Sequence, residues 1–261
     1  MSLSNAQKNE IEDILKNVLR SKFNNYNPES SNMPFHLRLL GKDRMALHSF
    51  IQSLNTVFGT SIFEPVAKVI AKANFRTVEL QKMPENRISS ASQEIIQKIV
   101  DDLTVASADP DKATEIEKIR AVCNDGDLRA VKKTKIDLYL EKESGEQYFI
   151  DIISAKPKQS VFLGYKRMLL DWVGVTLAKD PNAKIHTLLC IPYNPYEPKP
   201  YARWTMAGMI DLKEELLVGK EFWDFLGGDG TYEELLDCFE KVGIEMRDEI
   251  DANFAKYQFK S

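Results

Sequence analysis

Two short apolar runs in the middle of the chain do most to restrict its fold. They are Lys135-Ile136-Asp137-Leu138-Tyr139-Leu140 and Phe149-Ile150-Asp151-Ile152-Ile153-Ser154-Ala155-Lys156-Pro157. Glu143-Ser144-Gly145 between them suits a three-residue hairpin loop with glycine in the left-handed position. The pattern predicts a β-hairpin with strands near 135–141 and 147–154. If Lys142 pairs with Glu146, Asp137 faces Asp151 and Lys135 faces Ile153. Opposed residues have Cβ atoms about 4.5–5.5 Å apart, where like charges repel. Aspartate ranks low in strand propensity, so two of them facing one another among Ile, Leu, Tyr and Phe need a purpose. Holding a hard divalent cation is the most economical one; an exposed sheet face is the plain alternative.

With 261 residues the chain can bury a full core, and 43% hydrophobic with 28% charged residues is ordinary for a globular protein. A net charge of −4 argues against an overall basic coat but leaves room for a local basic cleft. Cys123, Cys190 and Cys238 form neither a disulfide framework nor a C-x-x-C site, so reduced thiols are expected. His36, His48 and His186 lack the spacing of a zinc site. No apolar run approaches the roughly 20 residues needed to cross a bilayer, nor is there a targeting leader; a cytoplasmic protein is expected.

Helical spacing is read over about 4–23 with Ser4 as N-cap, then 42–57, from Gly59 to about 74, 90–106 and 112–122. After the hairpin come a helix over 161–178, whose apolar face carries Phe162, Tyr165, Leu169, Leu170 and Val173, and a strand over 184–191. A proline- and tyrosine-rich loop at 192–201 precedes two more helices, about 211–226 and 231–255. This order predicts an α/β fold with a mixed central sheet flanked by helices. One domain is expected, with an N-terminal helical part at 1–58, a core at 59–205 and a C-terminal helical part at 206–261.

Asp137, the hairpin and then Asp151-Ile152-Ile153-Ser154-Ala155-Lys156-Pro157 resemble the core of the PD-(D/E)XK nucleases. With Lys166-Arg167-Met168-Leu169-Leu170-Asp171-Trp172-Val173 downstream, the stretch 48–205 is similar to type II restriction endonucleases of the TdeIII-type subgroup. The resemblance implies a restriction-endonuclease-like fold with added N- and C-terminal helices. It further implies Mg²⁺-dependent hydrolysis of double-stranded DNA at a short, palindromic site by a homodimer, and a companion methyltransferase in the host. Asp137 and Asp151 would ligate the metal, and Glu64, in Gly59-Thr60-Ser61-Ile62-Phe63-Glu64, matches a helix-borne glutamate that assists; Ser61 and Glu64 also fit a helix-capping box.

The chain departs from the family where the catalytic lysine belongs, because position 153 is isoleucine. Lys135, on the face of Asp137, or Lys156, at the strand end, would replace it, or activity is impaired. Basic residues outnumber acidic ones between Arg129 and Arg167, so Lys132, Lys133, Lys158, Lys166 and Arg167 are phosphate-contact candidates. Lys199 and Arg203 in and after the proline-rich loop are candidates for reading bases. The alternatives are a nuclease-fold protein that binds DNA without cutting it, and a regulatory α/β protein whose hairpin aspartates are merely exposed.

Overall fold

Ser4 starts the first helix in the way its position suggests. Its hydroxyl accepts the Gln7 amide at 3.2 Å, and Gln7 Oε1 accepts the Ser4 amide at 3.0 Å, closing a capping box. The computed structural model describes residues 3–26, 33–201 and 204–258. Its contacts divide the chain into two units, Met1–Ile70 with Gly228–Ser261, and Ala71–Gly227. The two helical ends expected from sequence thus share one unit, with borders at 70 and 228 instead of 58 and 206.

The first unit contains α1 (Asn5–Asn25), α2 (Pro34–Leu40), α3 (Lys42–Val57), α4 (Glu64–Ala71, its last residue across the border), α10 (Thr231–Glu245) and α11 (Arg247–Gln258). Ile11 and Leu15 form the buried stripe of α1, and buried Glu12 accepts from Lys241 of α10 at 2.8 Å. Phe50 of α3 anchors a ring cluster with Phe23, Tyr26 and Phe254, at centroid distances of 6.0, 5.0 and 5.1 Å. A π-helical turn, Phe58–Phe63, carries α3 directly into α4. Ser61 lies inside this turn, and no helix begins there.

The second unit contains a mixed sheet ordered β1 (Thr77–Lys82), β4 (Ile136–Glu141), β5 (Gln147–Ile152), β6 (Ile185–Ile191) and β7 (Leu216–Val218). β1, β4 and β5 pair antiparallel, while β5, β6 and β7 pair parallel. A two-stranded ribbon, β2 (Arg87–Ser89) with β3 (Leu128–Ala130), lies apart from it. The helices of this unit are α5 (Ser90–Thr104), α6 (Lys112–Arg120), α7 (Phe162–Lys179), α8 (Trp204–Ala207) and α9 (Lys220–Gly227). The α/β fold with a mixed, helix-flanked sheet is as expected. The segment read as one helix over 211–226 instead holds β7 before α9, because Leu216 and Leu217 pair beside Leu189 and Cys190 at the sheet edge. The helix expected at 231–255 is two, parted at Met246.

A parallel pair needs a crossover, and α7 supplies it between β5 and β6. Its stripe of Phe162, Leu169, Leu170, Trp172 and Val173 is buried in the main apolar cluster with Phe149, Ile153 and Leu189. Trp172 donates to the Thr134 carbonyl at 3.3 Å, tying α7 to the approach to β4. On the same helix Lys166 is fully buried between Glu115 of α6, at 2.6 Å, and Glu215 just before β7, at 2.8 Å. Lys112 closes the set on Glu215 at 2.8 Å. Burial pushes the Glu115 carboxyl up, with Lys166 opposing. Burial acts the same way on Glu215, but two ammonium groups outweigh it and hold that carboxyl below its ordinary range.

Breaking a buried pair leaves an uncompensated charge, at a cost of about 3–5 kcal/mol. Lys166→Met should therefore lower the thermal midpoint far more than a surface Lys→Met change, measured by calorimetry at pH 7. A depressed carboxylate contributes stability above its unfolded pKa, about 4.3, and loses it as pH falls through the folded value. The gap in midpoint between the parent and Glu215→Gln should accordingly narrow below about pH 4.

Candidate functional site

The β4–β5 pairing fixes where the two aspartates go. Leu138 pairs with Ile150, Tyr139 with Phe149, Leu140 with Tyr148 and Glu141 with Gln147. The Lys142 amide donates to the Glu146 carbonyl at 2.9 Å, and Gly145 takes φ +81° in the turn. This is the expected register, and one more step along it sets Asp137 opposite Asp151. The carboxylate of Asp137 reaches across the pair, with Oδ2 accepting the Ile152 amide at 3.1 Å. Lys135 Nζ stands 3.9 Å from Asp137 Oδ1.

Side chains alternate along a strand, so Asp137 and Asp151 share a face with Tyr139 and Phe149. That is the face α7 covers. Phe149 lies 5.4 Å from Tyr139 and 6.0 Å from Trp172, centroid to centroid. Both aspartates are only half-buried, and on β5 Asp151 lies between Phe149 and Ile153 of this apolar layer. Among the described residues no group of three or more His, Cys, Asp or Glu is arranged to hold a metal ion. A cation here would take two protein carboxylates and fill its remaining positions with water and phosphate. That donor set fits magnesium, which commonly binds through one or two carboxylates and keeps several waters.

Ile153 is 5% exposed and part of the apolar cluster, and its amide donates to the Cys190 carbonyl at 2.9 Å. Lys156 lies beyond the strand end with its ammonium 5.5 Å over the Tyr196 ring, toward the proline-rich loop. That loop is anchored beside it, since Tyr201 donates to the Ala155 carbonyl at 3.1 Å. Of the two lysines offered as replacements, Lys135 stands beside Asp137. Glu64 is a buried residue of the first unit, whereas Asp137 and Asp151 belong to the second.

The basic candidates separate clearly. Lys132, Lys133, Lys158 and Lys199 are exposed. Arg167 is partly buried and committed to Asp171 at 3.0 Å and Gln97 at 2.7 Å. Lys166 cannot contact a phosphate, because it is locked inside the buried charge network; that expectation is corrected. Arg203 lies outside the described residues. The residue that sequence reasoning passed over is Tyr165, counted only as part of the apolar face of α7. It is half-buried against the core, and its phenol pKa is raised by burial first and then by Asp151 and Asp137. The only signal in the sequence was one hydroxyl in an otherwise apolar stripe.

The family model for the type II restriction endonuclease HinfI matches residues 3–243. The chain belongs to that family of type II restriction endonucleases. The expectation was right at the level of type II restriction endonucleases, although the matching model is HinfI and the resemblance was drawn to the TdeIII-type subgroup. Similar proteins include the type II restriction enzyme HgiCII of Herpetosiphon aurantiacus, 26% identical over 83% of this chain and 80% of that one. HgiBI of the same organism is 24% identical over 96% of this chain and 98% of its own length. MjaII of Methanocaldococcus jannaschii is 25% identical over 93% of this chain and 71% of that protein. The chain is therefore an endodeoxyribonuclease of the restriction type. No helix among its described residues is long and apolar enough to cross a membrane.

The surroundings of Ile153 yield a direct test within the HinfI family frame. A lysine there would carry its charge into the apolar cluster, a costly burial unless it is paired. Ile153→Lys should melt well below Ile153→Met and gain no cleavage, as read by thermal denaturation and a plasmid-cutting assay. Faster cutting by Ile153→Lys would mean that the position still opens onto the reacting centre.

Proposed function

We propose that this HinfI-family chain hydrolyses phosphodiester bonds of double-stranded DNA with Mg²⁺ at the Asp137–Asp151 pair, using a PD-(D/E)XK-like hairpin. The observation that carries the reading is the β4–β5 register, which one step beyond Leu138–Ile150 sets the two aspartates opposite one another. Like charges directly opposite one another repel, and a cation between them offsets that repulsion. When bound, magnesium polarises a phosphoryl oxygen and lowers the pKa of an attacking water. Asp137 is oriented for that task by the Ile152 amide. Lys135, 3.9 Å from Asp137, supplies the ammonium that position 153 lacks, stabilising charge on the phosphate as it develops. Lys132, Lys133 and Lys158 contact the DNA backbone, and Lys199 lies on the loop that approaches the bases.

A short palindromic site calls for a two-fold arrangement, so the acting species is a homodimer, consistent with a companion methyltransferase that protects host sites. The reading as a DNA-binding protein without cleavage is not favoured, because the family consists of restriction enzymes.

Unmethylated phage DNA should be cut into discrete fragments with Mg²⁺ and left intact in EDTA. Asp137→Asn and Asp151→Asn should each reduce the single-turnover rate by at least about 1000-fold while melting near the parent temperature, since each removes a charge that offsets the metal. Lys135→Ala should slow cutting by about 100-fold. Full activity in both aspartate variants would sink this assignment.

A further inference from the structure

Position 153 offers no donor to a phosphate held at the carboxylate pair, and the covering helix carries one half-buried tyrosine, Tyr165. α7 joins two parallel strands, so it runs against their direction and its N-terminal end lies toward their C-terminal ends. Trp172 packs on Phe149. Seven residues earlier, two helical turns and about 10 Å along the axis on nearly the same face, comes Tyr165. On β5 the matching move leads from Phe149 toward the strand end, where Asp151 stands opposite Asp137. The helix is not free to rotate Tyr165 away. Its next residue, Lys166, is clamped at 2.6 and 2.8 Å between two buried glutamates of other elements. The rotation of α7 is thereby set, and the hydroxyl of Tyr165 donates to none of the described residues.

From this placement we infer that Tyr165 is a catalytic residue of the proposed nuclease centre, its neutral hydroxyl donating to a non-bridging oxygen of the scissile phosphate. The inference rests on the reading of Asp137 and Asp151 given above. The influence of both carboxylates on the phenol agrees with this position, and an ordinary phenol, with a pKa near ~10, keeps its proton at neutral pH. Tyr165 therefore acts as a donor throughout and transfers nothing. A preorganised hydroxyl aimed at developing negative charge does part of what an ammonium would do. It also suits the site, because the helix brings it in over the apolar layer, where a charged side chain would be costly to bury.

Tyr165→Phe removes one oxygen and keeps the packing, so it separates chemistry from fold. On a plasmid the parent cuts, its single-turnover rate with Mg²⁺ should fall by about 100-fold, while DNA affinity in Ca²⁺ stays at the parent value. An unchanged rate, or a loss of affinity that accounts for the slower cutting, overturns the role. A second measurement does not need activity. In protein labelled with 3-fluorotyrosine, the ¹⁹F resonance missing from Tyr165→Phe identifies this ring. Substoichiometric Mn²⁺ should broaden it in the parent but not in Asp137→Asn/Asp151→Asn. If Mn²⁺ leaves it sharp in the parent, Tyr165 does not face the metal and the inference fails. If the aspartate variants cut normally, the underlying reading fails. If they are inactive and Tyr165→Phe cuts at the parent rate, only the role of Tyr165 fails.

Discussion

A one-residue slip in the β4–β5 pairing would turn every side chain of the slipped strand to the opposite face and part the two aspartates. The turn prevents that slip. Gly145 adopts a left-handed backbone, and the Lys142 amide closes on the Glu146 carbonyl at 2.9 Å, so the four pairs from Glu141–Gln147 to Leu138–Ile150 follow from one loop. The candidate centre depends on this register. It sets Asp137 against Asp151, brings the Ile152 amide within 3.1 Å of Asp137, and puts Lys135 on the same face.

The second constraint is the crossover helix that covers that face. α7 combines an ordinary apolar stripe with one buried lysine, and the two do different work. Burying the stripe supplies the driving force but specifies rotation loosely, since neighbouring apolar side chains can repack. The contacts of Lys166 with Glu115 and Glu215 admit little rotation or slip, because a misplaced ammonium would take the paired charge from buried Glu115 and leave Glu215 with Lys112 alone. Buried charges cost stability unless every partner is met, so their use here is best understood as fixing geometry around a centre that has to be rigid.

Much of this was legible in the sequence, for physical reasons that can be named. The hairpin showed itself through alternation and a glycine at the turn, and α1 through Ser4 with Gln7 three residues on. The short strands were hidden. β2, β3 and β7 have three residues each, too few to show a period, and Leu216 and Leu217 could be read equally well as part of a helix. β1 is an edge strand, half-exposed along much of its length, whose alternation is weak. Lys166 misled for a different reason. A lysine on a helix reads as a solvated charge, and its two partners are 51 and 49 residues away in sequence. Tyr165 was seen but counted for its ring and not for its hydroxyl. Ile153 looked like a missing catalytic group, and its near-complete burial shows it also serves the core.

If Asp137 and Asp151 jointly hold a divalent cation, the metal can be located between them. Crystals of the parent chain soaked in Mn²⁺, with data collected at the manganese absorption edge, test it most directly. The account predicts an anomalous peak between the two side chains, within about 2.0–2.3 Å of an oxygen from each, and its loss in Asp151→Asn. A strong peak elsewhere in the molecule with none at this pair would contradict it.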